Sequence, residues 1–159
     1  GRHPRGIAIS ADSSTAYVTV MGERAVAVID LGSNSVARRF EAGGSPRHAV
    51  LSPDGQHLYV SNNLEGVVRK FEAVSGAEID RVATGTQPRT MVLAEDGASL
   101  FVVNYQDGTL SKVRTSDMEV IQSVTTGYHP VGVTYDPAVR QVWVANYAGS
   151  LSVFVDAAP

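Results

Sequence analysis

Three arginines, Arg5, Arg47 and Arg89, stand 42 residues apart, each directly after a proline (Pro4, Pro46 and Pro88). Brought to one place, three guanidinium groups would hold a carboxylate or phosphate through forked hydrogen bonds. Val131 follows Pro130, the fourth proline of this 42-residue series, and breaks the run of arginines. The competing reading is structural: an arginine that pairs with an acid or caps a loop is copied along with its repeat. His3 and His129 fill the slot before the first and fourth prolines, and His48 lies two residues after the second. Converging imidazoles can ligate a metal or haem. No carboxylate recurs beside them, and there is neither an HExxH motif nor an Asp-rich calcium loop. Solvated loop histidines are therefore expected, with no metal and no cofactor. Tyr105, Tyr128 and Tyr147, with Asp107, form a further candidate group, an aromatic platform suited to a peptide or sugar.

Other chemistries find less support. Lys70 and Lys112 are the only lysines and are also 42 apart. They are expected to run past their strand toward Glu72, Glu78 or Glu119 with the amine in water. Asn62, Asn104 and Asn146 end apolar segments and are expected to cap the next turn. The chain has no cysteine, no G-x-S-x-G elbow and no glycine-rich loop leading into a helix, so nucleophilic and phosphate-cradling motifs are missing. A net charge of −3 without a basic run argues against a nucleic-acid partner. No apolar stretch approaches the roughly 18 residues of a spanning helix, and the opening Gly1-Arg2-His3-Pro4 reads without an apolar leader. A protein or a small anionic ligand is the partner class left open.

The elements that must carry these residues repeat with the prolines. After Pro46 the chain reads RHAVLSPDGQHLYVSN, after Pro88 RTMVLAEDGASLFVVN, and the other two prolines lead into matching segments. A fixed period of this length marks one supersecondary unit copied along the chain. In the second copy His48 to Ser52, His57 to Asn62, Val67 to Phe71 and Glu78 to Thr84 read as strands, separated by turn residues such as Pro53-Asp54-Gly55. Four strands in about 40–45 residues make a propeller blade. The expectation is an all-β propeller of four-stranded antiparallel blades over 4–45, 46–87, 88–129 and 130–159, the fourth lacking its outer strand. Such a chain is expected to be part of a seven- or eight-bladed ring, the alternatives being a four-bladed ring or two copies sharing one ring. Tyr17, Tyr59, Phe101 and Trp143 share one slot of the second strand and are expected to face neighbouring blades in the core. The edge from Leu151 to Val155 is expected to pair with missing blades or to drive self-association.

The second strand ends in Tyr59-Val60-Ser61-Asn62, Phe101-Val102-Val103-Asn104 and Trp143-Val144-Ala145-Asn146, with Tyr17-Val18-Thr19-Val20 departing at the last position. This resembles the YVTN-type β-propeller repeat family. The resemblance implies a non-catalytic binding or scaffolding module outside the cytoplasm, whether periplasmic, secreted or at the cell surface. The alternatives it carries are a lactonase-like or cofactor-dependent propeller enzyme, and a truncated or engineered fragment with no ligand. Arginines and histidines without a repeated glutamate favour binding over catalysis on this reading.

Overall fold

In a computed structural model, residues 1–157 are described; Ala158 and Pro159, the last two residues of the expected fourth blade, lie outside them. Among the described residues fifteen strands form four antiparallel sheets, each a meander in chain order. The first holds β1 (Pro4–Ile9), β2 (Thr15–Val20), β3 (Ala25–Asp30) and β4 (Ser35–Glu41), with a single 3-10 turn at Met21–Glu23. The second holds β5 (Pro46–Leu51), β6 (His57–Asn62), β7 (Val67–Glu72) and β8 (Glu78–Ala83). The third holds β9 (Pro88–Leu93), β10 (Ser99–Asn104), β11 (Thr109–Arg114) and β12 (Glu119–Thr125). The fourth has three strands, β13 (Pro130–Asp136), β14 (Gln141–Asn146) and β15 (Leu151–Val155). Strands one and two of each sheet are joined by a side-chain-locked turn. In the second sheet Asp54 accepts from the Ser52 hydroxyl at 2.5 Å and from the Gln56 N–H at 3.0 Å, while Gly55 supplies φ +72°.

The first strands pack on one another in the order β1, β5, β9, β13, so the sheets fan as blades about a common axis. Between blades lie three apolar layers. Val26 and Val28 of the first blade meet Leu58, Val60 and Phe71 of the second. Tyr59 and Val68 meet Met91, Leu100, Val102 and Val113. Phe101 and Leu110 meet Val142 and Val144, with the Phe101 ring stacked on Tyr135 at 5.6 Å. Buried carbon of this kind contributes about 1.5–3 kcal/mol per large side chain.

Two details link each blade to the next connection. Asn62 donates to the Ala42 carbonyl at 2.6 Å and Asn104 to the Thr84 carbonyl at 3.2 Å. Asn62 and Asn104 thereby fasten their strand to the end of the preceding blade, while Asn104 also donates to the Thr109 hydroxyl at 3.0 Å and Asn146 to the Ser150 hydroxyl at 3.2 Å, across the following turn as expected. A Cβ on Gly85 would fall 2.7 Å from the Asn104 side chain, and one on Gly127 would fall 2.6 Å from Asn146. That close approach accounts for glycine at these positions.

The lysines also depart from expectation. Lys70 donates to the Thr115 carbonyl at 2.8 Å, and buried Lys112 pairs with Asp156 at 2.6 Å. Arg38 reaches the Ala73 carbonyl at 2.7 Å. Each cation thus crosses a blade junction, Lys70 and Lys112 because strand three faces the next blade and not solvent, and Arg38 from strand four.

Trp143 is the clearest correction to the expected core. Tyr59 and Phe101 are 2% and 3% exposed, whereas Trp143 is 38% exposed. The register is as expected, since Tyr59 pairs with Lys70, Phe101 with Lys112 and Trp143 with Val153. What differs is cover: no further blade lies on that face among the described residues. Phe71→Ala should cost about 3–5 kcal/mol in urea unfolding, and Trp143→Ala about 1 kcal/mol or less. Equal losses would show that the Trp143 face is covered in solution.

Candidate functional site

Each first strand begins irregularly. The pairing of β5 with β6 runs from Pro46–Asn62 to His48–Ser61 and leaves Arg47 without a partner; β1, β9 and β13 show shifts at the same place. Such a bulge re-aims a side chain while the ladder continues. Proline suits this start because it offers no N–H to the ladder. The residue before it is left-handed every time: His3 at φ 58°, Ser45 at 72°, Gln87 at 58° and His129 at 51°. A non-glycine residue in that region stores strain unless its surroundings hold it. Here its carbonyl is bound, for example Gln87 by the Tyr105 N–H at 3.0 Å and His129 by the Tyr147 N–H at 2.9 Å.

Hydroxyls of the preceding blade fix the bulges. Thr19 donates to the Arg47 carbonyl at 3.1 Å, Ser61 to the Arg89 carbonyl at 2.6 Å, and Thr90 to the Val131 carbonyl at 2.5 Å. β1 and β5 meet closely as well: a Cβ on Gly6 would lie 2.7 Å from the His48 Cα.

The three arginines come together at this end of the fan. The Arg47 guanidinium is held below its ordinary range first by burial, then by the positive charges of Arg89 and Arg5. Among the described residues none of the three forms an ion pair with a carboxylate. The Arg89 guanidinium lies over the Tyr105 ring, 3.3 Å from its centroid, and its Nε is buried without a hydrogen-bond partner. Tyr105 in turn stacks on His129 at 4.1 Å, and Tyr128 leans on His129 at 3.6 Å. Arg5, Arg47, Arg89, Tyr105, Tyr128 and His129 therefore make one cationic and aromatic cluster.

The other candidates sit elsewhere. Tyr147 is 74% exposed and enters no aromatic pair among the described residues. Asp107 accepts from the Thr86 N–H at 2.6 Å, which ties it to the connection between blades instead of a ligand face. The exposed His3 ring lies against the Met21–Glu23 turn, its Cδ2 3.0 Å from where a Gly22 Cβ would stand. Glu65 does for Gly44 what Asp107 does for Thr86, at 2.6 Å, and Glu23 does so for Arg2 at 3.3 Å. Glu23, Glu65 and Asp107 are 42 apart. This acidic series was legible in the spacing, and its role is to hold the connection in place. A separate cavity of about 250 Å³ between the third and fourth blades, lined by Phe101, Lys112, Val142 and Asp156, shares no residue with the cluster.

Residues 72–158, more than half of the chain, match the family described as the seven-bladed β-propeller lactonases. The chain belongs to that family. The expectation of a non-catalytic binding or scaffolding module is thereby overturned, and the lactonase-like alternative is the one that this membership supports. No curated protein matches the chain. Solved structures share the fold. The hydrazine synthase of Kuenenia stuttgartiensis is 22% identical with a TM-score of 0.89, over 96% of this chain and 46% of that one. A Bacteroides fragilis NCTC 9343 protein provisionally described as a 6-phosphogluconolactonase is 20% identical with a TM-score of 0.86, over 96% and 50%. A Desulfotomaculum acetoxidans DSM 771 protein of unknown function is 17% identical with a TM-score of 0.79, over 95% and 55%. The chain thus spans about half the length of these propellers. No helix among the described residues is long and apolar enough to cross a membrane.

His48 supplies a pH test of this region. Its Nδ1 accepts from the Met91 N–H at 3.4 Å, and burial pushes its pKa below the ordinary 6.5. The unfolded chain therefore takes up a proton near pH 6.5 that the folded one resists, and stability falls as pH drops below that value. Urea unfolding should therefore show lower stability at pH 5 than at pH 7.5, with this residue contributing to the drop. His48→Gln should shrink the drop; an unchanged drop would assign it to other groups.

Proposed function

We propose that these blades form part of a propeller that hydrolyses a lactone bearing an acidic group, with that group held by Arg5, Arg47 and Arg89. The observation that carries this reading is the arginine cluster itself. Burial and mutual repulsion depress Arg47, and no carboxylate among the described residues compensates the charge. Such a cluster is electrostatically complete only with an anion present. Family membership supports the reaction class, and the provisional 6-phosphogluconolactonase among the similar structures is named for a phosphorylated lactone. The YVTN-like ends of β6 and β10 belong to the same reading, since Asn62 and Asn104 fasten their strands to the end of the preceding blade.

In the reaction, water adds to the ring carbonyl, the ring C–O bond breaks, and a hydroxy acid leaves. Arginine forks anchor the acidic substituent and offset negative charge developing on the carbonyl oxygen. His129 is the residue of the cluster whose imidazole nitrogen can take the proton of the attacking water. Its left-handed backbone and its stacking on Tyr105 fix the ring's direction.

The test is hydrolysis of matched lactones, with and without a phosphate or carboxylate, by the polypeptide that carries these blades. The acidic lactones should be preferred, and Arg47→Ala should lower kcat/KM for them about 10–100-fold while leaving neutral lactones nearly unaffected. Equal turnover of neutral lactones, or no turnover of any, would contradict the proposal.

A further inference from the structure

We infer that Tyr105 is a positioning residue that presents Arg89 to an oxyanion at the blade mouth. This rests on the anion site proposed above and adds a residue to it. Two groups lie close against the Tyr105 ring, the Arg89 guanidinium at 3.3 Å and the His129 imidazole at 4.1 Å. Both are too near the centroid to share a face, so the phenol ring is sandwiched between them. Tyr128 tilts against His129 at 3.6 Å and extends the stack. The residues come from three places in the chain: the β9 bulge, the end of β10, and the left-handed turn before β13.

A stacked guanidinium keeps its donors in the plane of the fork, parallel to the ring, and turns its edge outward. Arg89 has no hydrogen-bonding or ion-pair partner for its guanidinium among the described residues, and its Nε is buried and unpartnered. An arginine that served the fold would direct those donors at carbonyls, as Arg38 does toward Ala73 and Ser75. In Arg89 the ring takes the face and the donors stay unclaimed. The Ser61 hydroxyl holds the backbone of the same residue at 2.6 Å, so main chain and side chain are both immobilised. This ordering occurs before any ligand arrives, which lowers the entropy lost on binding. A planar fork held at one angle suits the paired oxygens of a phosphate or carboxylate.

Inorganic phosphate is the probe, followed by NMR of arginine side-chain N–H groups in the wild type and in Tyr105→Phe, Tyr105→Leu and Arg89→Ala. In the wild type the Arg89 Nε–H should resonate upfield of the other arginines through the ring current of Tyr105, and should shift on phosphate addition. Tyr105→Phe keeps the ring and should retain both the shift and the affinity. Tyr105→Leu should lose the upfield position and bind phosphate about tenfold more weakly, with Arg89→Ala at least as weak. Melting temperatures without phosphate identify any variant that fails to fold; in that case the wild-type shift and Tyr105→Phe decide alone. An Arg89 signal without the upfield shift, or equal phosphate affinity in folded Tyr105→Leu and wild type, would overturn the inference. Because the readout is binding, failure to hydrolyse lactones would remove the proposed reaction and leave the role of Tyr105 standing.

Discussion

Each blade has two apolar faces and can cover neither by itself. The stacking of β1, β5, β9 and β13, with the layers around Leu58, Leu100 and Val142 between them, is the constraint on which everything else depends. It brings the start of every first strand to one end of a common axis. A residue placed just after the proline in sequence is thereby delivered to the same small region of space, whichever blade it comes from. The hydroxyls of Thr19, Ser61 and Thr90 then hold the delivered backbone from the blade before. Cations on the other strands, Arg38, Lys70 and Lys112, do the corresponding work across the junctions.

This division explains how the chain separates stability from chemistry. Its structural charges find partners: Arg69 pairs with Glu65 and Glu78 at 2.5 Å, Arg114 with Asp117 and Glu119, and Lys112 with Asp156. The three mouth arginines find none among the described residues. Repulsion between like charges in a half-buried place lowers stability, which is the ground on which we propose a ligand of opposite charge there.

Much of the fold was legible in the sequence, because a 42-residue period with turn residues at fixed offsets admits few architectures. The convergence of Arg5, Arg47 and Arg89 was legible for the same reason. The stack was not. It depends on a left-handed residue before each proline, which no residue type announces when the slot holds histidine, serine and glutamine in turn. Tyr105 and His129 are 24 positions apart, so no local spacing joins them. Burial was read correctly wherever a neighbouring blade exists, as at Tyr59 and Phe101. It was misread at Trp143, where the pattern is the same and the neighbour is not among the described residues. The lysines were misread through a sound general rule: long cations reach water when they can, but strand three of a blade faces another sheet. Function needed a different kind of information, since a repeat copied for structure and one copied for chemistry have the same spacing.

The measurement that bears most directly on the central claim is a crystal structure with a heavy oxyanion such as tungstate soaked in at millimolar concentration. The anomalous signal should lie between Arg47, Arg89 and Arg5, with the Arg89 plane still stacked on Tyr105. An anion bound only at other arginines, or a mouth without anomalous signal in well-ordered crystals, would contradict it.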